Sequence, residues 1–187
     1  MNNSKYDLVV IGAGPGGYVA AIRASQLGLN VAIVERESVG GVCLNWGCIP
    51  TKALLRSAEV GHLLNNLEAY GFSADNISFD IKKIVQRSRS VAKQLSSGVS
   101  HLLKKNKVTV ILGSASLKRK SGDEFDIEVL QEDKEYLNLK SKNVIMATGA
   151  RAKSLPNIIP DGKSIWTYKE AMVCLLYTSD AADEVQW

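Results

Sequence analysis

Residues 6–35 read YDLVVIGAGPGGYVAAIRASQLGLNVAIVE, and the order of apolar and glycine positions in this stretch decides the fold. Residues 6–11 form a short apolar run rich in β-branched side chains, the pattern of a buried strand. Glycines follow at 12, 14, 16 and 17, and residues 18–27 then carry a helical pattern that Gly28 is placed to end. Residues 31–34 make a second apolar run, closed by Glu35. Strand, turn, helix and strand within about thirty residues make a βαβ unit. Its two strands are expected to be parallel and its crossover right-handed. Gly12, Gly14 and Gly17 fall in a G-x-G-x-x-G spacing between strand and helix. The first glycine allows the tight turn, the second a close approach to a pyrophosphate, and the third close packing of helix on strand. An anion there meets the free N–H groups and the positive end of the helix dipole. Glu35 ends the second strand, where a carboxylate accepts hydrogen bonds from ribose hydroxyls. The loop alone does not separate FAD from NAD.

Immediately downstream, residues 40–52 read GGVCLNWGCIPTK. Three readings compete for Cys43 and Cys48. A zinc site needs further Cys or His ligands, and the only histidines, His62 and His101, stand isolated on helical patterns. Inert buried thiols are the ordinary fate of free cysteines. The residues favour the third reading, a redox-active disulfide. Gly40 and Gly41 permit an unusual backbone at a helix entrance, where a thiol gains acidity. Lys52 lies one helical turn beyond Cys48, within reach of a thiolate or an anionic flavin.

The remaining chain continues the α/β pattern. Residues 51–67 and 81–105 carry apolar positions at helical spacing, with Gly98 interrupting the second. Residues 108–112 read as a third strand, 115–139 as an antiparallel meander, and 143–147 as a further buried strand ending at Thr148 and Gly149. The 187 residues carry a net charge of +4, which gives no sign of a nucleic-acid partner without a recognition motif. No apolar run approaches the ~18 residues that span a bilayer, and the N-terminus lacks a signal-peptide pattern. A cytoplasmic location is expected, and there a close cysteine pair points to redox or metal chemistry. Residues 174–187 break with what precedes them, and CLLYTSDAADE resembles one reading frame of a sequencing adaptor. They are set aside as a foreign tail, leaving residues 1–173 as the genuine region.

Residues 6–173 resemble the N-terminal part of the dihydrolipoyl dehydrogenases, within the class I pyridine nucleotide-disulfide oxidoreductase family. The likeness rests on VVIGAGPGGYVAAIRASQLG, VAIVERE, GGVCLNWGCIPTKALLRSAEV, NVIMATGA and SIWTYKEAM. It implies a Rossmann-like FAD-binding domain: a parallel sheet plus a three-stranded antiparallel meander, truncated before the NAD and dimer-interface domains. It places Gly12, Gly14, Gly17, Glu35, Arg36, Gly41, Lys52, Ala115, Thr148 and Gly149 around FAD. It makes Cys43 the thiol that exchanges with dihydrolipoamide and Cys48 the thiol that passes electrons to the flavin, with NAD⁺ as final acceptor. It also implies a homodimer and a lipoyl-bearing partner from a 2-oxo acid dehydrogenase complex or the glycine cleavage system. No metal is implied. A mercuric- or glutathione-type flavin reductase, and a nucleotide-binding module whose cysteines only pack, are the alternatives. The chain by itself is expected to lack turnover.

Overall fold

β1 (Ser4–Ile11) and β2 (Val31–Glu35) are apolar at consecutive positions because both faces of their sheet are covered. The computed structural model describes residues 4–175. On one face, Leu8, Val10, Val31 and Ile33 pack against Ala21 and Ala24 of α1 (Pro15–Gln26) and Val99 and Leu103 of α4 (Ile81–Lys105). On the other, Val9, Ile11, Ala32 and Val34 meet Ile127, Val129 and Leu139 from the antiparallel strands. The α/β class expected from the βαβ pattern holds, with a sheet sandwiched between helices and a meander.

The six strands lie in the order β3-β2-β1-β6-β5-β4. β3 (Thr109–Leu112), β2, β1 and β6 (Tyr136–Met146) are mutually parallel. β4 (Ser114–Ser121), β5 (Glu124–Leu130) and β6 run antiparallel. β6 therefore belongs to both halves, pairing with β5 through Tyr136–Ser141 and with β1 through Leu139–Met146. This corrects the expectation of a meander followed by a separate strand at 143–147: one eleven-residue strand does both. That stretch is also not buried. Ile145 is 39% and Met146 60% exposed: α1 lies over β1 and β2, and among the described residues no helix packs extensively on β6.

β3 and β4 stand at opposite edges of the sheet yet are joined by Gly113 alone. The sheet must curl until these edges meet, and the Gly113 N–H donates to the Glu35 carbonyl at 2.8 Å. α4 runs unbroken through Gly98, its N-terminus capped by the Asp80 carboxylate, which accepts from the Lys83 N–H at 3.2 Å. A buried stripe of Val85, Ser88, Ala92, Val99 and Leu103 carries the helix past the glycine. Among the described residues no helix is long and apolar enough to cross a membrane. Beyond residue 175 the expected foreign tail lies outside the described residues.

At the β1–α1 turn, a Cβ on Gly17 would stand 1.8 Å from the Gly12 carbonyl oxygen, whereas one on Gly16 would meet nothing within 4 Å. Gly17→Ala is expected to lower stability by about 3 kcal/mol through backbone displacement. Gly16→Ala should stay within about 1 kcal/mol of the parent, or gain slightly from helix propensity. Urea unfolding followed by circular dichroism distinguishes the two outcomes.

Candidate functional site

The backbone of Ala13 joins the glycine loop to its surroundings. Its N–H donates to Glu35 Oε2 at 2.7 Å, and its carbonyl accepts from the Gly40 N–H at 2.8 Å. Glu35 Oε1 accepts from the Glu37 N–H at 2.9 Å. The carboxylate expected to face a ribose thus also braces the loop from within. It is only 9% exposed and still contributes to the wall of the crevice above the loop.

The cysteine segment lies directly on this loop. Gly41 has φ +60°, and a Cβ there would come within 2.8 Å of Gly14 Cα, so position 41 has no room for a side chain between the two segments. From Gly41 the chain forms α2 (Gly41–Trp46), breaks at Gly47 and re-enters helix as α3 (Cys48–Asn65). The short α2 is absent from the sequence reading, which begins the helix at residue 51. Six residues are too few to show a helical period. Pro50 is tolerated because it sits in the first turn of α3, where no intrahelical N–H bond is lost. Cys43 in α2 and Cys48 at the head of α3 form a disulfide, their Cα atoms 4.7 Å apart.

A crevice of about 430 Å³ runs over the loop. Gly12, Gly14, Glu35, Arg36, Gly41, Cys43, Ala115, Thr148 and Gly149 all line it. Gly17 sits behind, packed on Gly12. Lys52 and Cys48 are exposed on α3 and do not line the crevice. Cys43 is the half-buried, crevice-facing member of the pair. His62 and His101 are exposed on α3 and α4.

The chain's fit to a dinucleotide can be tested at the loop itself. A Cβ on Gly14 would meet nothing within 4 Å, and the first turn of α1 has no side-chain cap. Backbone therefore faces open space at a helix N-terminus, the arrangement a pyrophosphate requires.

Several residues at the site were not singled out from sequence. Glu37 Oε1 accepts from Arg151 Nη2 at 2.6 Å and Oε2 from Lys169 Nζ at 3.2 Å, pinning the segment after β6 across the crevice mouth. That segment ends in α5 (Tyr168–Ala171), which opens with a capping box between Thr167 and Glu170. Trp46 lies beneath the Arg89 guanidinium, 4.3 Å from its ring centroid, with the Lys169 ammonium at 5.7 Å. The hydrogen bond from Lys169, aided by Arg151, holds the Glu37 carboxyl below the usual glutamate range. A lowered carboxyl pKa means the tie is at full strength above the ordinary glutamate value and is lost as pH falls through the lowered one. Hydrogen exchange over residues 150–171 is expected to accelerate in that acidic window, and Glu37→Gln to show the faster exchange already at neutral pH.

The profile of the family described as "Pyridine nucleotide-disulphide oxidoreductase" matches residues 6–185. Dihydrolipoyl dehydrogenase from Zymomonas mobilis is 56% identical over 167 residues, covering 89% of this chain and 35% of that protein. The Rhizobium etli enzyme of the same name is 50% identical over 182 residues, covering 89% and 37%. The Bacillus subtilis one is 42% identical over 184 residues, covering 90% and 36%. This chain thus spans little more than a third of the length of the curated relatives it matches. LpdA from Mycobacterium tuberculosis shares the fold, with a TM-score of 0.84 over 92% of this chain and 38% of its own, at 24% identity. Given the disulfide beside the glycine loop and a family match over most of its length, the chain belongs to the pyridine nucleotide-disulphide oxidoreductase family.

Proposed function

We propose that this chain is the FAD-binding, dithiol-bearing part of a dihydrolipoyl dehydrogenase, which oxidises a protein-bound dihydrolipoyl group and reduces NAD⁺. The observation that carries the reading is the Cys43–Cys48 disulfide, with Cys43 in the wall of the same crevice that Gly12 and Gly14 floor. Gly12 and Gly14, with the first turn of α1, would hold the FAD pyrophosphate, and Glu35 the adenosine ribose. Arg36, Gly41, Ala115, Thr148 and Gly149 complete the cradle. When bound, the flavin supplies a two-electron acceptor for a dithiol.

The exchange needs only the chain's own sulfurs. A thiolate of the dihydrolipoyl group attacks one sulfur of the disulfide, releasing the other as thiolate and forming a mixed disulfide. The second dihydrolipoyl thiol then displaces the enzyme sulfur, giving lipoamide and two protein thiols. Resemblance assigns the attacked sulfur to Cys43, while exposure alone would assign it to Cys48. The expected partner is a lipoyl-bearing subunit of a 2-oxo acid dehydrogenase complex or the glycine cleavage system. A homodimer and a cytoplasmic setting belong to the same reading.

Two measurements test it. FAD titrated into the chain should bind with quenched flavin fluorescence, and Gly14→Val should weaken binding by tenfold or more, as a side chain would fill the pyrophosphate position (about 1.4 kcal/mol or greater). Incubated with dihydrolipoamide, the chain should gain two titratable thiols, and Cys48→Ser, which retains Cys43, should form the mixed disulfide with oxidised lipoamide, the Cys43 thiolate opening the lipoyl ring disulfide and releasing its second sulfur as a thiol. Failure of both FAD binding and thiol exchange would remove the proposal. Trapping only in Cys43→Ser would reverse the assignment of the two sulfurs.

A further inference from the structure

The corner between α2 and α3 is held from outside by α4. Arg89 Nη2 donates to the Asn45 carbonyl, and its guanidinium stacks over Trp46. About two turns further along the same helix, Ser96 Oγ donates to the Val39 carbonyl at 2.5 Å and lies 3.0 Å from Asn45 Oδ1. The Asn45 amide in turn donates to the carbonyls of Val39 at 3.0 Å and Gly41 at 2.9 Å. Asn45 and Trp46 are two of the four residues between the cysteines, so these ties grip the loop that the disulfide closes. Arg87, on the same helix, reaches instead to the Ala53 carbonyl at 2.9 Å, beyond that loop.

Arg89 holds its position against its own solvation. It is half-buried, burial lowers its pKa, and Nη1 is buried with no hydrogen-bond partner among the described residues. The cost of that unmet donor is not offset by a full set of bonds. The guanidinium does, however, supply the one planar group that can stack on Trp46 and bond Asn45 together.

Resting on the redox reading of the cysteine pair, we infer that Arg89 is a positioning residue for that pair. Its grip on Asn45 and Trp46 keeps the two sulfurs adjacent after the S–S bond is broken. The reduced thiols then face each other at high effective concentration, and reclosure is favoured. Removing the grip frees the loop in the reduced state and makes the disulfide easier to reduce. A purely electrostatic role has the opposite sign: a cation that stabilises thiolate favours the reduced form, so its loss would make reduction harder.

The test is equilibration of the whole chain in glutathione buffers, with acid quench, alkylation and mass measurement. The reaction is one protein disulfide plus two glutathione thiols giving two protein thiols plus one glutathione disulfide. Arg89→Met is expected to raise this equilibrium constant about tenfold, which is about 30 mV toward the oxidising side for a two-electron couple. Arg89→Lys should recover part of the shift, because its ammonium can still donate to the Asn45 carbonyl but lacks the planar fork that also stacks on Trp46. Arg87→Met should leave the constant unchanged. Where circular dichroism shows Arg89→Met to be unfolded, Ser96→Ala decides, with a smaller shift in the same direction expected. An unchanged or lowered constant in the folded variant overturns the inference, and so does an equal shift in Arg87→Met, which would mean general loosening of α4. If the parent chain shows no reversible couple, the functional reading falls as well. A reversible parent with unmoved variants removes this inference alone.

Discussion

The backbone of a single residue, Ala13, carries hydrogen bonds in two directions on which the site depends. Its N–H is held by the Glu35 carboxylate at the end of β2, and its carbonyl holds the Gly40 N–H at the start of the cysteine segment. The residue is completely buried, so neither bond competes with water. The end of one strand, the turn after another and the entrance to α2 are thereby fixed relative to each other. The contact of Gly41 with Gly14 then sets the segments at backbone distance. An acidic side chain usually discussed for what it offers a ligand is here also part of the scaffold that shapes the ligand's floor.

From that joint outward, the crevice is assembled by segments far apart in the chain. β1 and β2 end in the loop and the brace, Gly113 turns back against Glu35, and the segment following β6 closes over the mouth through Glu37. The sheet makes this possible because β6 is parallel to β1 on one side and antiparallel to β5 on the other. The meander can then cover the face that the helices leave bare.

Legibility in the sequence followed the range of the interactions. The βαβ unit was readable because its strands, helix and glycines are contiguous, and its side-chain periods are short. The spacing assigns Gly12 to the tight turn and Gly17 to close packing, and the structure shows backbone where their Cβ atoms would go. The identity of β6 was not readable: residues 136–141 alternate like an edge strand, whereas 143–147 look like a buried run, and only pairing on both sides makes them one strand. α2 was too short to have a period. Nothing near the cysteines announces that Arg89 and Ser96 reach them, since the approach is made by a helix some forty residues downstream through carbonyl groups, which carry no sequence signature. The Glu37 cluster was hidden for the same reason, its partners lying 114 and 132 residues away.

The late arrival of β6 has a consequence during synthesis. Asp7 and Lys142, paired across β1 and β6, are separated by 135 residues. Until the ribosome has delivered β6, β1 has only β2 beside it, and its other edge offers unpaired amides and carbonyls. A nascent chain in that condition is open to mispairing with its neighbours, and topology of such long sequence separation closes slowly. The demand for protection by chaperones should therefore peak while the helical segments are already emerging, and end when the sixth strand docks.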